Sequence, residues 1–169
     1  MIPNLISLSR VFLIIPIIYC IIIGNIYTGL ALFIVAGLTD FLDGFVARYL
    51  DKESILGANL DLLADKLFVC ILLIFISFHF DNLIILICAA LIVSREITAT
   101  SLRHYFMILG INNKMKVNLL GKVKTFIQIV SIGFCILWLE SSMKYLAETF
   151  VISATFISWI SLLNYLRND

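Results

Sequence analysis

Charged residues are scarce in this chain. They make up 14% of its 169 residues, against roughly 25% in a typical soluble domain. Apolar residues reach 62%, more than a water-soluble protein this small has interior to hide. A soluble globular domain is therefore excluded, and an integral membrane protein is expected. No single sign of charge dominates either: 12 basic residues face 11 acidic ones, a formal net charge of +1. No field is left to draw the chain to nucleic acid, and none is expected as a partner. Metal-site signatures built on sulfur or imidazole are also missing. Cys20, Cys70, Cys88 and Cys135 each lie inside an apolar run without a CxxC or Cys–His pattern, which reads as packing. His79 and His104 have no second ligand at useful spacing and read as interfacial polar residues. The N-terminus shows neither a basic region nor a small-residue cleavage site, so the first apolar run is expected to be retained.

What is present is a series of apolar runs near the roughly 20 residues that cross a bilayer as a helix. Six spans are expected, at about 5–23, 28–50, 55–80, 83–105, 119–139 and 145–166. Pro3 suits a first helical turn, with Asn4 or Ser7 as a cap. Gly24-Asn25, Asp51 to Ser54, Asp81-Asn82, a polar stretch at 109–118 and Glu140 to Ser142 separate the runs. Trp138 and Trp159 read as packing or belt residues. The expected architecture is all-α: one polytopic domain, 1–169, without repeats.

Lys and Arg set its orientation. With the N-terminus in the cytoplasm, that side receives Arg10, Arg48, Lys52, Lys66, Arg95, Arg103, Lys114, Lys116, Lys122, Lys124 and Arg167, and the other side only Lys144. Both termini are thus expected to be cytoplasmic.

Against this background the stretch 39–66, TDFLDGFVARYLDKESILGANLDLLADK, concentrates four aspartates. Asp40, Asp43, Gly44 and Ala47 share one helical face, and Gly57, Asp61 and Asp65 share another. The short connection between the two runs makes them antiparallel neighbours whose aspartate faces converge. Carboxylates near a membrane interior are costly without a partner, and four of them suit a hard divalent cation such as Mg²⁺ or Mn²⁺. Two ions bridging a phosphate would fit that number. Gly44 and Gly57 would let a nucleotide or pyrophosphate approach the backbone, and Arg48 offers a fork of donors to phosphate. A solvated hairpin pairing with Arg48, Lys52 and Lys66 would explain Asp51 and Glu53, but not the helical register of the four aspartates.

The pattern Asp40-x2-Asp43-Gly44-x2-Ala47-Arg48-x8-Gly57-x3-Asp61-x3-Asp65 resembles, without departure, the signature of the CDP-alcohol phosphotransferase family. That resemblance implies a six-helix membrane fold, a homodimer, a site facing the cytoplasm, and transfer of a substituted phosphate from a CDP-linked donor to an alcohol. It implies that Asp40, Asp43, Asp61 and Asp65 hold two metal ions. Asn4, Gly44, Ala47, Arg48 and Gly57 would border the CDP moiety, and Asp65 would take the acceptor's hydroxyl proton.

The acceptor must be chosen by the second half of the chain. Arg95 and Arg103, eight residues apart, lie on roughly one helix face; Lys122 and Lys124 open the next helix. These four form an expected pocket for an anionic acceptor. SREITATSLR, LGKVKTFIQ and IPNLISLSRV resemble the corresponding stretches of one bacterial branch of the family, the phosphatidylglycerophosphate synthases. The sequence departs from that branch at Thr100 and at His104 to Met107. The branch implies CDP-diacylglycerol as donor, sn-glycerol 3-phosphate as acceptor, and residence in the bacterial inner membrane. Serine, inositol phosphate or phosphatidylglycerol as acceptor stays open, as does, from another class, a divalent-cation carrier. Against the carrier, the aspartates lie near one surface and not at the midplane.

Overall fold

The computed structural model describes residues 2–49, 55–110, 119–138 and 143–167. Six helices organise them: α1 (Ile2–Ile22), α2 (Ile26–Tyr49), α3 (Ile55–His79), α4 (Leu83–Ile108), α5 (Leu119–Trp138) and α6 (Lys144–Arg167). The described residues contain no strand. Each helix falls on one of the six expected runs, with ends shifted by a few residues.

Local chemistry fixes the joints. α1 closes with Gly24 in the left-handed region at φ 77°. Gly24 N–H donates to Ile21 O at 3.1 Å, and Asn25 N–H to Cys20 O at 2.9 Å. This double closure satisfies carbonyls that the helix end would otherwise leave bare. At the next tight joint Asp81 takes φ 48°. Asn82 then caps α4, its Oδ1 accepting from Ile84 N–H at 2.9 Å and Ile85 N–H at 3.2 Å. Its Nδ2 donates to Glu148 Oε1 at 2.7 Å, which pins this corner to α6.

α1 packs on α2 and α3; α5 lies against α6, α2 and α3; α4 lies against α6 and α3. Ile17, Leu72, Ile76, Ile92, Ile132 and Val151 form a continuous buried core. Phe33 of α2 stacks on Phe68 of α3 with ring centroids 5.6 Å apart, and Phe134 of α5 on Phe150 of α6 at 4.5 Å. Trp138 packs face to face on Phe80 at 4.1 Å.

The molecule is apolar on its outside as well as its inside. Phe12, Phe78, Leu83, Phe126 and Phe156 are exposed, while Arg10, Arg95, Glu96, Lys124 and Gln128 are buried. In water this arrangement would be penalised twice, by bare hydrocarbon outside and desolvated charge inside. In lipid the first penalty vanishes and internal pairing answers the second. Among the described residues three segments are long and apolar enough to cross a membrane: Leu62–His79, Leu83–Phe106 and Lys144–Asn164. Within their described side chains α1, α2 and α5 carry apolar stretches at Ser9–Ile22, Ile26–Thr39 and Val123–Trp138.

Candidate active site

α2 carries Asp40 and Asp43; α3 carries Asp61 and Asp65. Of these, the side chain of Asp65 is described. Those of Asp40, Asp43 and Asp61 lie outside the described residues, as do those of Asn4, Ala47, Arg48 and Lys122 and the surroundings of Gly44 and Gly57. Backbone register still relates the two helices. Asp40 follows Phe33 by seven positions and Asp61 precedes Phe68 by seven. Seven residues are close to two turns, about 10 Å along the axis. Both positions therefore stand on the helix faces that meet at the Phe33–Phe68 stack.

Asp65 lies nearer that stack. It lines a small cavity with Ala36 and Gly37 of α2, Arg10 of α1 and Thr125 of α5. Its Oδ1 accepts a hydrogen bond from Arg10 Nη1, closing an ion pair between α1 and α3. Arg10 is 2% exposed. A guanidinium at that depth is tolerated only when paired, and the pair holds the carboxylate in one orientation. Among the described residues no three His, Cys, Asp or Glu side chains form a metal-binding group.

A second polar cluster occupies the space between α4, α5 and α6, with Glu96 at its centre. Its Oε1 accepts from Lys124 Nζ at 2.5 Å, Arg95 Nη1 at 3.1 Å and Gln128 Nε2 at 3.5 Å. All four side chains are buried. Arg95 also reaches α6, donating from Nε to Ser158 O at 2.9 Å and from Nη2 to Ser161 Oγ at 3.3 Å. Lys66 of α3 donates to Thr100 Oγ1, whose hydroxyl in turn donates to Glu96 O at 2.7 Å. Arg103 is half-buried and follows Thr100 by three residues on α4, on a neighbouring part of the same face.

Two dipeptides join the clusters. In Asp65-Lys66 the first residue faces Arg10 and the second faces Thr100. In Lys124-Thr125 the first binds Glu96 and the second lines the Asp65 cavity. Successive helical residues diverge by about 100°, so α3 and α5 each present one residue to either side. Of the sequence-selected acceptor residues, the structure brings Arg95 and Lys124 onto one carboxylate.

Three participants were not singled out from sequence. Arg10 counted only toward topology, and its partner is 55 positions away. Glu96 and Gln128 lie within the stretches SREITATSLR and LGKVKTFIQ, where sequence alone assigns them no role. The one available signal was a lone carboxylate inside a span next to Arg95, which demands a counter-charge. Lys66 enters from sequence through topology and as a partner for the hairpin's acids.

The family model for CDP-alcohol phosphatidyltransferase matches residues 1–163. Among curated proteins, the CDP-diacylglycerol–glycerol-3-phosphate 3-phosphatidyltransferase of Wigglesworthia glossinidia brevipalpis is 44% identical over 65% of this chain and 60% of its own length. The protein of that name from Escherichia coli (strain K12) is 33% identical over 98% of this chain and 92% of its own. One from Shigella flexneri serotype 5b (strain 8401) has the same identity and coverage. The family model takes in the aspartate motif, the Glu96 cluster and α1 with Arg10 alike: the chain belongs to the CDP-alcohol phosphatidyltransferase family.

Proposed function

We propose that this protein transfers the phosphatidyl group of CDP-diacylglycerol to sn-glycerol 3-phosphate, giving phosphatidylglycerophosphate and CMP. The observation that carries this reading is the likeness, over nearly all of both chains, to a relative bearing that activity in its name. The free primary hydroxyl oxygen attacks the phosphatidyl phosphorus. The phosphorus–oxygen bond to CMP breaks, and CMP leaves with the electron pair. Asp65 takes the hydroxyl proton as the new bond forms; its ion pair with Arg10 aims the carboxylate. Arg95, Arg103, Lys122 and Lys124 serve the acceptor's phosphate, Arg95 and Lys124 from positions steadied by Glu96.

An all-oxygen donor set of Asp40, Asp43, Asp61 and Asp65 suits Mg²⁺ or Mn²⁺, and the register of α2 and α3 is compatible with it. Two bound ions would neutralise charge on the pyrophosphate oxygens as CMP departs. Asn4, Gly44, Ala47, Arg48 and Gly57 border the CDP moiety. In this reading one domain spans the bacterial inner membrane six times as a homodimer, with both termini and the active site on the cytoplasmic side. A lipid donor is consistent with that placement, since its acyl chains need the bilayer and its cytidine needs water.

The test is CMP release by purified protein in detergent with CDP-diacylglycerol and Mg²⁺ or Mn²⁺, each acceptor offered alone. Release with glycerol 3-phosphate and not with serine, inositol phosphate or phosphatidylglycerol is expected. Release with one of those three and none with glycerol 3-phosphate would overturn the acceptor.

A further inference from the structure

Lys66 lies outside the signature pattern and outside the set of cations chosen from sequence. It follows Asp65 directly, yet its ammonium turns from the Asp65 cavity to α4, where it donates to Thr100 Oγ1. Arg103 follows Thr100 by three residues on α4 and so stands on a neighbouring part of the same face. The Glu96 carboxylate is shared by Lys124, Arg95 and Gln128. Among the described residues, the Glu96 carboxylate answers Arg95 and Lys124, and Lys66 joins them through Thr100. A half-buried ammonium whose contact is a neutral hydroxyl is stabilised when an anion joins it.

We infer that Lys66 is a specificity-determining residue that binds the phosphate monoester of the acceptor, at the point where the cation cluster meets the proton-accepting carboxylate. Three observations converge on it. Lys66 is the cluster's cation nearest in sequence to Asp65, and the backbone of α3 sets their separation. Lys124-Thr125 on α5 repeats the arrangement, one residue in each cluster. The Lys66 side chain is also held in place by a hydroxyl whose own hydrogen is committed to Glu96 O, so Thr100 orients the ammonium without neutralising it. An acceptor with a hydroxyl at one end and a dianionic phosphate at the other bridges these two sides; serine, with an ammonium near its carboxylate, does not match them.

This inference rests on glycerol 3-phosphate being the acceptor, and its test keeps the two apart. Lys66→Met and Lys66→Arg are purified with the unmodified protein, and KM is measured for each substrate with the other saturating. Lys66→Met is expected to raise the glycerol 3-phosphate KM about tenfold or more, about 1.4 kcal/mol per decade. Its CDP-diacylglycerol KM stays within about twofold, and Lys66→Arg recovers most of the loss, as a charge-assisted contact to phosphate should. An unchanged glycerol 3-phosphate KM, a parallel rise for both substrates, or an arginine variant no better than the methionine one would overturn the role. No CMP release by the unmodified protein with glycerol 3-phosphate would overturn the acceptor assignment on which it stands.

Discussion

The two polar regions of this molecule are built on opposite plans. The carboxylate region is local: eight specified positions on two consecutive helices, all within residues 40–65. The cation region is dispersed. It takes Lys66 from α3, Arg95, Glu96 and Thr100 from α4, Lys124 and Gln128 from α5, and Ser158 and Ser161 from α6. Chemistry common to a CDP-linked donor fits the compact motif. In the proposed reaction, choice of alcohol falls to the dispersed one.

The sharpest break in that comparison is Asp65→Asn. Losing the base should lower turnover by about 10³-fold in folded protein, within the usual span for such a group. CMP release at saturating substrates checks it, and near-normal turnover would remove Asp65 from both proposed roles. Next, Glu96→Gln leaves Lys124 and Arg95 buried without their counter-charge. A loss of about 3 kcal/mol is expected, read as a lower Tm in detergent, with a raised glycerol 3-phosphate KM. Combining it with Lys124→Met should recover part of that loss, because the two side chains share one contact. Additive losses would mean that the pair is not coupled.

Arg10→Met tests whether the carboxylate region depends on a third helix. Losing one charged hydrogen bond should cost about 2 kcal/mol, with a fall in kcat larger than any change in either KM. A KM effect confined to glycerol 3-phosphate would move Arg10 to the other region. The smallest change is Ser161→Ala, which removes one of the two anchors of Arg95 on α6. About 1 kcal/mol of stability and a modest rise in acceptor KM are expected.

The same contrast explains which features are legible in the sequence. Helices were legible because a bilayer imposes run length, and the turns because Gly24-Asn25 and Asp81-Asn82 carry their own chemistry. The aspartate motif was legible because helical spacing alone puts its members in register. Arg10 was not, since periodicity on α1 says nothing of a partner on α3. Nor was the fate of Arg95: its sequence neighbour Glu96 was visible, but Lys124, Ser158 and Ser161 meet it only after α5 and α6 pack against α4. Long-range ion pairs are the part of a membrane protein that sequence spacing does not encode.

The most direct test of the proposed reaction follows the acceptor's atoms. Purified protein is given CDP-diacylglycerol, divalent metal and glycerol 3-phosphate radiolabelled in its phosphate, and the organic phase is extracted. The account predicts label in a lipid phosphomonoester, formed in step with CMP and absent without CDP-diacylglycerol. CMP release with all label left in water would contradict it.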